Sequence, residues 1–397
     1  MRIRRKTIFW NILSETAISA RGTGFPDPGI PDIKIKEETG LKKGRRIGAL
    51  IAAAMLLVSF SAAAEEPEEL ILGGTAVEIE EESMTGSEQS VSGESAAPSW
   101  ADVILNSRGF LDEGEYVFED DDEGHYMYVN PTIRIQIERT YEVPDKKHPF
   151  YCFTANIWCD TEAGEIPYTV DSNPENPGHT PKHIDEIAAE NKIVFATSTD
   201  YYTYRSGGKA KDPSFYHVGI EIRRGEIRWE DPHPRPPEMP NYETLALLSN
   251  GYAESFLSTD YSAEQYLADG ATEVFTFGPC VVRDGELTEY LKHAHTSYNP
   301  RMALGVCEPG HYVAMLCEGR LPRSKGVQMT VMAQMLKDRG CQVAVNMDGG
   351  QTAVFSFMGK QLNQVSEDMP RGRKSVEVLA FGSSEQVTSE RVGKKVK

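Results

Sequence analysis

One short stretch near the C-terminus combines the residue types that could bind an anion and react with it. Residues 343–355, VAVNMDGGQTAVF, place Asp348 and then Gly349 and Gly350 directly after an apolar run. If that run is a strand, the carboxylate emerges at its C-terminal end, where ligands collect in sheet proteins. Two glycines without side chains let backbone N–H groups approach an anion closely and form a concave nest. The pattern predicts an anion site beside a carboxylate.

Three interpretations fit this stretch when it is taken alone. An Asp-Gly pair can be an ordinary hairpin turn that carries no chemistry. A loop of the form Asp-x-Gly-x-Thr grips the phosphates of ATP in actin-like sugar kinases, and a sugar-phosphodiester site outside the cell would need similar groups. The kinase interpretation is disfavoured, because that loop opens its domain, whereas only 47 of the 397 residues follow Gly350 here.

The elements that must position this stretch are mostly strands. HYMYVNPTIRIQIERTYE and FYCFTANIWCD are rich in strand-forming residues, and the first alternates apolar with polar positions. TPKHIDEIAAENK has the start signal and spacing of a helix, and it leads into IVFATSTDYY, a buried strand that ends at Asp200. A second carboxylate is thus predicted at the end of a strand.

Turn signals then divide the rest of the chain into short elements. Hairpins are predicted at Arg224-Gly225 and Asp284-Gly285, and a turn between two strands is predicted at Glu308–His311. A helix closed by Gly340 is predicted for MTVMAQMLKDRG. Hairpins outnumber crossovers. We therefore expect an α+β fold, with a large twisted mixed sheet, hairpins and a few packed helices, in a single catalytic-type domain over residues 124–382.

The flanking segments have different compositions. Residues 42–64 have four basic residues, a 14-residue apolar run and then Ala-x-Ala, which is the layout of a signal peptide; an uncleaved membrane anchor is the alternative. Residues 1–41 are expected to be a spurious or disordered extension. Residues 65–123 are acidic and of low complexity, so they predict a disordered tether, and residues 383–397 a charged tail. We expect a secreted or surface-anchored protein, with membrane contact only through an uncleaved N-terminal segment.

Charge and cysteine content limit the partners. The net charge of −19 disfavours nucleic acid and anionic membranes, since both would be repelled, but not a small anion held by local arginines. The six cysteines fit export and zero to two disulfides, and they lack the spacing of a zinc site. We expect no resident cofactor and no metal, although a divalent cation near the carboxylates is left open. His293 and His295 are interpreted as solvent-facing residues of a loop.

Several segments taken together resemble the phosphodiester glycosidase family. The C-terminal half of the family is matched, in order, by NPRMALGV, AMLCEGRLP, MLKDRGCQVAVNMDGGQTAVF and RGRKSVEVLAFG. Earlier parts of the family are matched by AAENKIVFATSTDYY and by the two Gly-turn hairpins. The resemblance covers roughly residues 125–382. It implies an exported hydrolase that cleaves a sugar-1-phosphodiester, of the N-acetylglucosamine-1-phosphate type, in envelope or host glycans, with a carbohydrate phosphodiester as its substrate.

The family pattern and the chemistry of such a bond assign roles to particular residues. Arginines hold phosphate through their planar fork, and carboxylates act at the anomeric carbon. The predicted catalytic residues are Asp348 first, with Asp200 or Glu318 as the second carboxylate. The predicted phosphate-binding residues are Arg301, Arg320, Arg373, Gly349 and Gly350. The predicted sugar-binding residues are Asn346, Tyr201, Ser198 and Thr352.

The chain departs from the family pattern at several of these positions. Ser198-Thr199 stands where the family has Asn-Gly, Glu318 where it has Asp, Gln351 where it has a third glycine, and Met302 where it has Thr. These changes support an alternative, a catalytically degenerate glycan-binding domain of the same fold on the cell surface.

Overall fold

The computed structural model describes residues 103–200, 219–231, 243–292 and 297–394. The segments predicted for residues 1–64, and most of the predicted tether, lie outside these ranges. Among the described residues no helix is long and apolar enough to cross a membrane.

The described residues form nineteen strands and three α-helices. The first ten strands are β1 (Tyr116–Asp120), β2 (His125–Val129), β3 (Ile133–Glu142), β4 (Phe150–Cys159), β5 (Tyr168–Asp171), β6 (Ile193–Thr197), β7 (Gly219–Arg223), β8 (Glu226–Asp231), β9 (Glu243–Leu248) and β10 (Ala253–Glu254). The others are β11 (Ala271–Phe277), β12 (Cys280–Arg283), β13 (Glu286–Leu287), β14 (Arg301–Glu308), β15 (His311–Cys317), β16 (Val343–Met347), β17 (Phe355–Phe357), β18 (Lys360–Gln361) and β19 (Glu377–Ser383). The helices are α1 (Ile184–Glu190), α2 (Ala263–Ala268) and α3 (Met329–Asp338).

These strands pair into three antiparallel sheets. The largest has nine strands in the order β1-β2-β3-β4-β15-β14-β16-β12-β13. Two five-stranded sheets have the orders β10-β9-β11-β7-β8 and β18-β17-β6-β19-β5. The α+β class is confirmed, and three antiparallel sheets take the place of the one mixed sheet expected from the sequence.

Both faces of the nine-stranded sheet are covered by apolar residues. On one face Leu304 belongs to a buried cluster that also contains Phe275 from the second sheet and Phe355 from the third. On the other face Ala303 packs in a cluster with Met332 of α3. Successive residues of a strand point to opposite faces, so β14 contributes to both layers and is fixed firmly in the centre of the domain.

The predicted turns and both predicted helices are present. Arg224-Gly225 joins β7 to β8 and Asp284-Gly285 joins β12 to β13, with positive φ at all four residues, as the tight hairpin turns require. TPKHIDEIAAENK contains α1 and MTVMAQMLKDRG contains α3. Helix α2, which was not predicted, begins with a capping box between Ser262 and Gln265.

Secondary structure extends beyond the predicted domain, residues 124–382, at both ends. Strand β1 lies inside the segment predicted to be a disordered tether, and it pairs with β2 along its whole length. In the predicted tail Val387 is buried, and Arg391 forms an ion pair with Glu119 of β1. Acidic residues that look unstructured in the sequence are thus held by cations from the C-terminal segment.

Candidate active site

A cleft of about 320 Å³ lies where β14 begins and β16 ends. These antiparallel neighbours pair Met302 with Met347, so the register brings Arg301 and Asp348 to the same edge of the sheet. The residues that line the cleft are Phe277, Asn299, Pro300, Arg301, Arg320, Asn346, Met347, Asp348, Gly349, Gly350, Gln351 and Arg373. The apolar strand predicted before Asp348 therefore delivers the carboxylate to a concave surface.

The charge of the cleft is opposite to that of the chain. Three arginines, Arg301, Arg320 and Arg373, line it, and Asp348 is the one carboxylate among the described lining residues. The whole chain carries a net charge of −19. A local excess of arginine in a concave surface attracts anions, and the guanidinium group matches the geometry of phosphate oxygens.

The glycine pair shapes the floor of the cleft through close backbone contacts. A Cβ on Gly349 would lie 2.7 Å from the carbonyl oxygen of Pro300 and 3.2 Å from the Cα of Arg301. Gly350 has a φ of +62° and donates its N–H to the same Pro300 oxygen at 3.0 Å. The absence of side chains is therefore what allows the loop after β16 to pack against the start of β14.

Arg301 is the most constrained of the three arginines. Its side chain is buried and donates to two backbone carbonyl oxygens, Val327 O at 3.0 Å and Ser297 O at 3.1 Å. Burial lowers the pKa of Arg301 from its ordinary value. No carboxylate is within ion-pair distance of its guanidinium in the part of the chain that the structure describes. A buried cation without an acidic partner favours an anionic ligand in the adjoining cleft.

Arg320 and Arg373 approach the cleft from two different loops. Arg320 is exposed, has a φ of +60° and donates to the side chain of Asn299 at 3.1 Å. Its guanidinium also lies 3.5 Å from the position that a Cβ on Gly350 would occupy. The backbone N–H of Arg373 donates to Gln351 O at 2.8 Å, which ties its loop to the glycine loop. All five residues predicted to bind phosphate therefore line one cleft.

Asp200 lies behind the cleft rather than in it. It is buried and lines a cavity of about 10 Å³ that also contacts Asp348 and Arg373. Its carboxylate oxygens lie 3.4 Å from the guanidinium of Arg223, and one of them accepts the backbone N–H of Thr276 at 2.9 Å. As a carboxylate held by a buried cation and a backbone donor, Asp200 is placed to support the site from behind.

Arg223 is the centre of this buried support, and the sequence did not reveal it. It is fully buried and forms an ion pair with Glu377 at 2.8 Å as well as with Asp200. Burial alone would lower the pKa of Arg223, but Glu377 and Asp200 more than offset it and the pKa is raised. A charge removed from water in this way is stable only because two carboxylates surround it.

A chain of hydrogen bonds connects this network to the catalytic candidate. The hydroxyl of Thr199 donates to Glu377 at 3.0 Å, and the carbonyl of Thr199 accepts the N–H of Asp348 at 3.3 Å. Ser198 Oγ donates to Asp348 O at 3.4 Å. The backbone N–H and carbonyl of Asp348 are therefore both held by Ser198 and Thr199, the residues that stand where the family has Asn-Gly. Both residues have a structural role.

Glu318 does not line the cleft. It is buried beside the loop that precedes Arg320, where Gln364 N donates to one carboxylate oxygen at 2.8 Å and Arg323 lies 3.9 Å from the other. Burial raises the pKa of Glu318. These contacts brace the loop of Arg320, and the role of Glu318 as the second carboxylate stays a prediction.

The predicted sugar-binding residues are divided between three environments. Asn346 lines the cleft, and its amide donates to Gly278 O at 3.0 Å. Ser198 and Thr352 line the small cavity behind it, and the Thr352 hydroxyl donates to Gly349 O at 2.6 Å. Tyr201 lies outside the described residues. Asn346 is therefore the one of these four that the structure places in the cleft.

Phe277, Asn299 and Pro300 were missed by the sequence analysis. Phe277 ends β11 and gives the cleft its one aromatic side chain among the described lining residues. Asn299 and Pro300 immediately precede Arg301, so the NPR triplet is the signal that could have revealed them. Within the described ranges, no group of three or more His, Cys, Asp or Glu side chains is arranged to hold a metal ion.

Comparisons with known proteins agree with the family resemblance. The family model described as phosphodiester glycosidase matches residues 191–381, which include all the arginines of the cleft and Asp348. A curated relative, the SPbeta prophage-derived uncharacterized protein YomE of Bacillus subtilis (strain 168), is 26% identical over 132 residues. That match covers 32% of this chain and 20% of YomE, so the chain spans only about a fifth of this relative.

Solved structures show more distant similarity. The catalytic domain of zebrafish N-acetylglucosamine-1-phosphodiester alpha-N-acetylglucosaminidase, auto-inhibited by its pro-peptide, has a TM-score of 0.49 and 15% identity, over 70% of this chain and 90% of that one. A protein from Synechocystis has a TM-score of 0.40 and 12% identity, over 64% of this chain and 63% of the other.

Proposed function

Residues 191–381 form a domain of the phosphodiester glycosidase family, and on this premise we propose that the protein hydrolyses the bond between a sugar and phosphate in a sugar-1-phosphodiester. The observation that carries the proposal is the cleft itself. Its described lining residues combine three arginines with one carboxylate, in a chain whose overall charge is strongly negative.

Each group of the cleft has a part in such a reaction. The arginines bind the phosphodiester anion and stabilise the charge that remains on the phosphate when the bond to the sugar breaks. A phosphate leaving group is a weak base, so it needs little help from a general acid. Asp348 lies at the same edge of the sheet and stabilises the positive charge that develops at the anomeric carbon. Asn346 and Phe277 are placed to contact the sugar.

We further propose that the sugar is of the N-acetylglucosamine type and that the protein acts outside the cytoplasm, on envelope or host glycans. The support for export is the signal-peptide layout of residues 42–64. Sequencing the N-terminus of the exported protein tests this, because the expected cleavage follows Ala64, and a protein that retains residues 42–64 in the cytoplasm contradicts it.

The catalytic proposal is tested by Asp348→Asn, which keeps the shape of the side chain and removes its charge. We expect wild type to release free sugar from an N-acetylglucosamine-1-phosphodiester, and the variant to be slower by about 10³-fold or more, the size of a lost electrostatic contribution to the transition state. Inorganic phosphate should still bind to the variant, because the three arginines are unchanged. Asp338→Asn, at an exposed position on α3, is the matched control and should retain full activity.

Full activity of Asp348→Asn would contradict the catalytic role of Asp348, since no other carboxylate lines the described part of the cleft. The alternative of a binding-only domain is favoured if wild type binds the sugar phosphodiester without releasing sugar from any of a panel of such compounds. Gln351, which lines the cleft where the family has glycine, would then be the first residue to return to glycine in a search for turnover.

A further inference from the structure

Four of the six cysteines lie in two close pairs. The sulfur atoms of Cys152 and Cys317 are 3.6 Å apart, and those of Cys307 and Cys341 are 3.4 Å apart. All six cysteines are thiols in this structure, and Cys159 and Cys280 belong to neither pair. We propose that the two pairs are sites of disulfide formation, Cys152 with Cys317 and Cys307 with Cys341, in the oxidised protein.

The first pair has the backbone geometry that a disulfide needs. Cys152 of β4 and Cys317 of β15 are direct partners in the antiparallel register. The next pair along, Tyr151 and Glu318, is hydrogen-bonded from Glu318 N to Tyr151 O at 2.9 Å. Because hydrogen-bonded and non-hydrogen-bonded pairs alternate, Cys152 and Cys317 form a non-hydrogen-bonded pair, whose Cα atoms are about 4.5 Å apart. That separation lies within the range found for disulfides, about 4.4–6.8 Å.

The second pair is held together by the backbone next to it. Cys307 lies at an irregularity near the end of β14, and Cys341 lies just before β16. Between them, Gln342 N donates to Val306 O at 2.8 Å, so the neighbours of the two cysteines are already bonded. In both pairs the sulfur atoms must approach by about 1.5 Å to reach the bonded distance of about 2.05 Å, which small side-chain rotations can supply.

The two thiols of the second pair differ in access and reactivity. Cys341 is buried, whereas Cys307 is partly exposed. The hydrogen bond from the Cys341 thiol lowers the pKa of Cys307. Cys307 is therefore the thiol that reaches its reactive thiolate form more easily and meets an oxidant first.

The oxidant is a disulfide of low molecular weight or of a protein. The Cys307 thiolate attacks one of its sulfurs, forms a mixed disulfide and releases one thiolate. The Cys341 thiolate then attacks the Cys307 sulfur and releases the second thiolate. Two protein thiols lose their protons and are oxidised, and one external disulfide is reduced to two thiols. Cys152 and Cys317 are fully buried, so their thiol–disulfide exchange takes place while the chain folds, before packing around β4 and β15 excludes the oxidant.

The two bonds would lie at opposite ends of the strands that carry the cleft. Strands β4, β15, β14 and β16 are consecutive neighbours in the nine-stranded sheet. The first bond would join β4 to β15 next to the loop of Arg320, and the second would join the far end of β14 to the segment before β16. Each would restrain a strand on which the cleft depends.

The test is to map the cysteines of the full chain after refolding with a mixture of oxidised and reduced glutathione. The protein is denatured with an alkylating reagent and no reductant, digested and examined by mass spectrometry. We expect two linked peptide pairs, 152 with 317 and 307 with 341, and alkylation of only Cys159 and Cys280. If either link is missing, or if Cys159 or Cys280 takes part in a link, the proposal is overturned.

A variant and a matched control separate pairing from simple proximity. Cys307→Ala should leave Cys341 alkylated and the link between Cys152 and Cys317 intact, whereas Cys280→Ala should leave both links unchanged. The oxidised wild type should also have a higher midpoint of urea unfolding than the reduced protein, and Cys307→Ala should lose only part of that difference. Equal midpoints for the oxidised and reduced wild type would contradict a role for these bonds in restraining the fold.

Discussion

Gly349 approaches the backbone of Pro300 closely at the cleft, and Gly349→Ala tests this contact directly. The added Cβ would lie 2.7 Å from the Pro300 carbonyl oxygen, whereas carbon–oxygen contacts at such positions rarely fall below 3.0 Å. To relieve the overlap, the two backbones must separate by about 0.5 Å, as forced shifts in packed cores do. The same oxygen accepts Gly350 N at 3.0 Å, so this hydrogen bond would stretch and weaken.

The expected cost follows from these two effects. Overpacking costs about 1–3 kcal/mol, and a weakened hydrogen bond adds about 1 kcal/mol. The free energy of unfolding should therefore fall by about 2–4 kcal/mol, which lowers the melting temperature by roughly 5–10 °C in a domain of this size. Because Arg301 follows Pro300, the same shift moves this arginine, which we propose to bind phosphate, away from Asp348. A misplacement of about 0.5 Å should reduce sugar release about 10-fold.

The assay combines thermal unfolding with calorimetric titration of inorganic phosphate, so that it does not depend on turnover. Gly340→Ala is the matched control: Gly340 has a φ of +83° and nothing within 4 Å of its added Cβ, far from the cleft. It should lose about 1 kcal/mol of stability through backbone strain and keep its affinity for phosphate. If Gly349→Ala keeps both its melting temperature and its phosphate affinity, the tight contact with Pro300 does not shape the cleft and the reasoning fails.

Two further predictions concern buried charges. Arg223→Met leaves Asp200 and Glu377 without their cation and should reduce the free energy of unfolding, measured with urea, by about 3–5 kcal/mol. The control is Arg228→Met, at the partly exposed ion pair with Asp171, which should cost about 1 kcal/mol. Equal losses for the two variants would contradict the central role of Arg223. Glu318 has a folded-state pKa raised above 4.5, so the folded state keeps its proton longer than the unfolded state, and stability should fall as the pH rises above about 4.5. Glu318→Gln should reduce this fall between pH 5 and pH 7, as followed by melting temperature, and an unchanged pH dependence would show that the buried carboxyl does not cause it.

Much of the cleft could be predicted because its residues sit at strand ends and turns, where local sequence signals are strong. Asp348 follows an apolar run, and a glycine pair follows Asp348, so both the carboxylate and the nest could be read from one segment. The β7–β8 and β12–β13 hairpins and helix α3 were predicted for the same reason. Local patterns specify local structure well, because the period of the side chains and the turn chemistry agree.

The buried ion-pair network of Arg223, Asp200 and Glu377 behind the cleft could not be predicted, since it depends on the burial of both faces of β7. In β7 the residues alternate as Ile220, Glu221, Ile222 and Arg223, a pattern typical of a strand with one face in water. In the structure both faces of β7 are covered, and the two charged residues are as buried as the isoleucines. The sequence spacing of Arg223 and Glu377 gives no sign that they meet, because contacts between distant strands leave no local pattern.

The same logic explains why the surroundings of Glu318 and of the chain ends could not be predicted. A carboxylate two residues before an arginine of the cleft looks catalytic in sequence, yet Glu318 is not among the residues that line the cleft, and its carboxylate accepts the backbone N–H of Gln364. The acidic segment of β1 looks disordered in sequence because the cationic partners of its Glu119, Lys360 and Arg391, come from the far end of the chain. The composition of a segment carries no information about the other segments that pack against it in the folded protein.

The ion pair between Arg223 and Glu377 also has a consequence for how the protein folds. The two residues are separated by 154 positions. Glu377 also accepts a hydrogen bond from Thr199, whose carbonyl in turn holds the backbone N–H of Asp348. Closing so long a loop is slow, and the contact gives no stabilisation until β19 has docked. The cleft should consequently stay incomplete until β19 has docked, so a chain that is still being synthesised and lacks its last strand has no complete site.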